Sequence, residues 1–180
     1  MFDECTDNIG YLNRMLKNIV GVKTYSTTEN SYGFSNLSGI IKNQFEGQID
    51  TGKMMQSLTK LAQENGITII NNIAVKAIED KNSSVEINTA NFGILKCNKT
   101  IVATNGFAKQ LLNLDVEPAR AQVLITKPIK KLPFVGTFHY DKGYYYFRNI
   151  HNRVLFGGGR NLDFKTENTS EIMTTPLIIR

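Results

Sequence analysis

Residues 51–71, TGKMMQSLTKLAQENGITIIN, set the tightest limit on how this chain can fold. Thr51 reads as a helix N-cap, and Met54, Leu58, Leu61 and Ala62 recur on one helical face. Gly66 stands where the helix should stop, because the residue after a C-cap takes a left-handed backbone that suits glycine. Residues 67–71 then follow at once as a short, almost wholly apolar strand. A helix feeding directly into such a strand is the end of a crossover, and its strand belongs in a parallel sheet covered on both faces. The expectation is an α/β core.

Further along, AVKAIED, SSVEINTA and GILKCN alternate in polarity and are separated by Lys81–Asn82 and by Asn91–Gly93, which reads as an antiparallel meander. KTIVATNGFAKQLL then predicts a buried strand over 100–103 that turns into a helix at Asn105–Gly106. Strand-to-helix geometry alone accounts for that turn; a backbone donor site for phosphate is the other reading. Upstream, Asp7 or Asn8 is placed to cap a helix running to about Ile19 and closed by Gly21, and GIIKNQF reads as a strand. Beyond residue 117, PARAQVLITKP, LPFVGTFHYDKG and the hairpin DKGYYYFRNIHNRVLFGGGR form an antiparallel layer. The folding style changes near residues 113–117, dividing the chain into 1–46, 47–114 and 115–180.

Composition narrows the function classes. A chain of 180 residues with 41% hydrophobic content can bury a core, and no stretch approaches the ~20 apolar residues of a membrane span. The start, MFDECTDN, is acidic rather than secretory, which points to the cytoplasm. Cys5 and Cys97 are far apart and in no metal-ligand spacing, so no metal is expected. Asn36, Asn82, Asn98 and Asn168 open glycosylation-type triplets that carry no meaning without secretion. The net charge of +5 is scattered, its densest run being TKPIKK, and the aromatics at 134–147 lie away from most of it. No nucleic-acid partner is expected.

The hairpin carries the candidate binding residues. Strand alternation puts Tyr144, Tyr146 and Arg148 on one face and Tyr145 and Phe147 on the other. Two phenols and a guanidinium suit a carboxylate or polar substrate; a solvated face over a core of Tyr145 and Phe147 is the plain alternative. His139 and Arg160 are weaker candidates, and no side chain stands out as a general acid or base.

The ordered set of the helix–strand at 51–71, the meander, TIVATNGF, PARAQV, GYYYFR and VLFGGGR resembles the D-amino-acid oxidase and glycine oxidase family of flavoproteins along nearly the whole chain. The resemblance implies part of a Rossmann-like FAD-binding domain, with parallel strands and a meander, in 47–114. It implies a substrate domain of antiparallel sheet in 115–180, to which 1–46 contributes a helix and a segment. It implies that the Val75 backbone pairs with the adenine edge, the alternative being a plain core valine. Backbone atoms of Ala103, Thr104, Asn105 and Gly106 would lie near ribose and pyrophosphate, and the Tyr146 hydroxyl on a substrate carboxylate. The family's GxGxxG fingerprint does not occur here. The resemblance therefore implies the central portion of an FAD-dependent enzyme that oxidises an amine or amino acid, a portion inactive and poor at holding FAD when alone. A non-enzymatic module binding a small molecule or partner is the alternative.

Overall fold

A computed structural model describes residues 2–179. The chain divides into two compact units, residues 2–49 with 123–157 and residues 50–122 with 158–179. The units interleave in sequence: 2–49 groups with 123–157, and the segment from 158 onward groups with 50–122.

The first unit opens with helix α1 (Phe2–Val20), which begins a turn and more before the expected caps. Asp3 and Glu4 complement the positive end of the helix, while Asn8 donates its side-chain amide to the Glu4 carbonyl inside the helix instead of capping it. Gly21, with φ of +79°, ends α1 as its sequence position predicts. Asn13 on α1 then pins the next strand, accepting from the Thr24 and Tyr25 amides and donating to the Tyr25 carbonyl. That strand, β1 (Tyr25–Thr28), pairs antiparallel with β2 (Ile40–Asn43).

The same unit holds a four-stranded sheet of β6 (Val123–Ile125), β7 (Thr137–Tyr140), β8 (Tyr145–Ile150) and β9 (Arg153–Gly158), in spatial order β6-β9-β8-β7. One face of it carries an aromatic cluster. Phe138 and Phe147, directly opposite each other, stack at 5.0 Å, and Phe34 and Phe134 meet both edge-on at 5.1–5.6 Å. Offset and edge-to-face contacts are the arrangements aromatic rings prefer, and they add to the burial of the rings. Phe134 is buried here.

The second unit contains α2 (Thr51–Glu64), the meander β3 (Val75–Asp80), β4 (Val85–Thr89) and β5 (Ile94–Cys97), and the short helices α3 (Ala108–Leu111) and α4 (Pro176–Ile179). The meander forms as expected, in order β3-β4-β5. Asp50, not Thr51, is the N-cap of α2, its carboxylate accepting from the Lys53 amide at 3.1 Å. Gly66 follows the C-cap with φ of +77°.

The parallel pair expected from residues 67–71 and 100–103 does not form: neither segment is in any sheet, and every registered pairing among the described residues is antiparallel. Apolar sequence marks a strand that favours burial, but a ladder also needs a second strand in register. In this unit the three strands of the meander pair only among themselves. Ile67, Ile70 and Ile101 are consequently exposed, Ile101 by 92%.

Candidate functional site

In the first unit, period-2 alternation places the side chains of β8 as its sequence requires. Tyr145 and Phe147 take the aromatic face: Tyr145 stacks on Phe156 at 6.1 Å and lines an open apolar concavity with Tyr140, Phe147 and Phe156. Tyr146 and Arg148 take the other face. His139 on β7 sits opposite Tyr146, with ring centroids 6.4 Å apart, and Thr137 sits opposite Arg148. Tyr144 departs from the expectation. It lies one residue before β8 in a helical backbone conformation, at the end of the 141–143 turn, so strand alternation does not reach it.

Arg148 is partly committed, since its Nη1 donates to the Ile49 carbonyl at 2.7 Å. The neighbouring Asn149 side chain accepts from Gln48 at 3.1 Å and from the Gly136 amide at 2.9 Å, so residues 48–49 are tied to the sheet. Tyr146 differs from Arg148, because among the described residues no group hydrogen-bonds its hydroxyl. On its far side the ring reaches Gly157 of β9.

In the second unit, Val75 begins β3 opposite Thr89, at a register shift between Val75 and Ala77. The segment 103–106 is a turn rather than a strand end. Asn105 has φ of +50°, and the Phe107 amide closes on the Thr104 carbonyl at 3.0 Å. Thr104 Oγ1 is buried and has no hydrogen-bond partner among the described residues, an arrangement that costs free energy. At Gly106 an added Cβ would come within 3.2 Å of Pro118, so this glycine makes room for protein packing. α3, which follows the turn, packs on β3.

One polar cluster escaped the sequence reading. Arg120 grips Glu167 with two parallel hydrogen bonds, Nε to Oε2 at 3.0 Å and Nη2 to Oε1 at 2.9 Å. Gln122 donates to the same carboxylate at 3.0 Å, and the Thr175 hydroxyl donates to Oε1. Arg120 Nη1 also reaches the Glu171 carbonyl at 3.1 Å. The hydrogen bonds from Arg120 lower the Glu167 pKa to about 2; burial opposes this, and Thr175 and Gln122 reinforce it. The signal available in sequence was Arg120 and Gln122 two apart in an extended run, with their acid far downstream.

A family model described as FAD dependent oxidoreductase matches residues 25–177. The chain belongs to the FAD dependent oxidoreductase family. It is 29% identical over 79 residues to the bifunctional protein ThiO/ThiG of Synechocystis sp., a match covering 44% of this chain and 12% of that protein. The chain therefore corresponds to a small part of that relative's length. Members of the FAD dependent oxidoreductase family use FAD. No helix among the described residues is long and apolar enough to cross a membrane, and they contain no acidic, histidine and cysteine cluster able to hold a metal.

Proposed function

We propose that this chain supplies a substrate-holding sheet and part of the nucleotide-binding region of an enzyme that oxidises an amine or α-amino acid. The observation that carries this reading is the Tyr146 hydroxyl, which has no hydrogen-bond partner among the described residues, on a sheet face that also bears Arg148 and His139. A phenol donor beside a guanidinium is the pair of groups that fixes a carboxylate.

On this reading Tyr146 donates a hydrogen bond to the substrate carboxylate. Arg148 adds positive charge through the N–H groups that Ile49 does not occupy. In the other unit, the backbone of Val75 pairs with the adenine edge. The backbone of Ala103, Thr104, Asn105 and Gly106 meets the ribose and pyrophosphate oxygens. FAD supplies a hydride acceptor when bound, and the protein contributes position and electrostatics.

Titration with glycine, the smallest α-amino acid, tests the substrate side. Tyr146→Phe should weaken its binding about ten- to hundredfold, the worth of a hydrogen bond to a charged group, with thermal stability unchanged. Equal affinity in the two proteins would remove Tyr146 from the site.

A further inference from the structure

We infer that Gly157 is a positioning residue for Tyr146: its lack of a side chain fixes where the phenol hydroxyl stands. The inference rests on the reading of Tyr146 as the carboxylate contact. A Cβ built on Gly157 would lie 2.5 Å from Tyr146 Cζ, 2.6 Å from its Oη and 2.7 Å from its Cε2. These are the outer atoms of the ring, so the hydroxyl end of Tyr146 lies across β9, directly above the Gly157 backbone.

The three consecutive glycines therefore serve different purposes. Gly158 and Gly159 have φ of +130° and +79°, conformations that other residues adopt only with strain. Gly157 has no such φ, and any residue could take its backbone; only space requires glycine there. Along the polar face, a cross-strand row runs from His139 through Tyr146 and Gly157 to Val123, which is directly opposite Gly157 and 59% exposed. With no side chain at 157 the outer end of the phenol occupies the space above Gly157, while its ring centroid stays 6.4 Å from that of His139. A methyl at 157 meets the hydroxyl itself and must lift the ring off β9, because the blocking atoms are the stiff end of an aromatic ring.

The test uses the full chain with fluorotyrosine in place of tyrosine, the Tyr146 fluorine signal being the one lost in Tyr146→Phe. Gly157→Ala should shift that signal and weaken glycine binding about tenfold or more. In the Tyr146→Phe background the same substitution should weaken glycine binding little further. An unmoved signal in Gly157→Ala overturns the inference, as does an equal loss of affinity with and without the Tyr146 hydroxyl. If Gly157→Ala fails to fold, Gly157→Ala combined with Tyr146→Ala decides the matter. Recovered folding shows that the ring and the methyl compete for one space, and continued failure shows that they do not. A shifted signal in a protein whose Tyr146→Phe variant binds glycine normally leaves the positioning intact and sinks the carboxylate reading instead.

Discussion

Arg120 and Glu167 form a two-point ion pair across 47 residues of sequence, and Glu167 is only 1% exposed. A carboxylate so placed is favourable only while its donors remain, since an unpaired buried charge is costly. The pair holds the chain entering β6 against the segment that carries Glu167 and Thr175, and its stability depends on pH.

Glu167 remains ionised in the folded chain down to about pH 2, against an ordinary value of 4.5. A lowered folded-state pKa contributes stability that is complete above the unfolded pKa and is lost as the pH falls through the folded one. The contribution is up to about 3 kcal/mol at neutral pH and should disappear between about pH 4.5 and pH 2. Denaturant melts across that range should show the decline in the native protein. In Glu167→Gln the slope should flatten from a lower starting stability, and an unchanged slope would mean that another carboxyl controls acid unfolding.

The two faces of β8 should separate stability from binding. Phe147→Ala removes a ring that touches Phe34, Phe134 and Phe138, and should cost about 3 kcal/mol. Tyr146→Phe keeps the ring over Gly157 and should melt with the parent. Thermal melts of both variants, read beside glycine titrations, check the register: a stability loss in Tyr146→Phe with none in Phe147→Ala would mean that the faces are exchanged.

Asp50→Ala should destabilise α2 by about 1 kcal/mol, since it removes the side chain that accepts from the Lys53 amide. Thr51→Ala should have a smaller effect, because Thr51 is already inside the helix. Denaturation followed by circular dichroism would rank the two, and the reverse order would return the cap to Thr51.

What the sequence made legible was local. Hydrophobic alternation broken by Lys81–Asn82 and Asn91–Gly93 is enough to form a meander, and Gly66 enough to stop α2. Alternation also separated Tyr146 and Arg148 from Tyr145 and Phe147, yet failed at Tyr144, where Lys142 and Gly143 turn the backbone with positive φ just before the strand. Partner choice was illegible. Residues 67–71 have the composition of a buried strand, but composition does not name the strand that would lie beside them. Nothing near Arg120 announces Glu167. The purpose of Gly157 became visible only when Tyr146 was found above it, since a glycine needed for space and one needed for φ look identical in a sequence.

The interleaving of the two units bears on how the chain is made. Phe34 leaves the ribosome long before Phe134, Phe138 and Phe147, the rings it packs against, and the whole of 50–122 is synthesised between the two parts of its unit. At roughly 5–20 residues per second, several seconds separate the synthesis of Phe34 from that of its partner rings. Closing a loop of that length adds an entropic cost that must be met before any of those ring contacts form. Until residues 134–147 have emerged, Phe34 therefore lacks the phenylalanine rings it packs against in the folded chain.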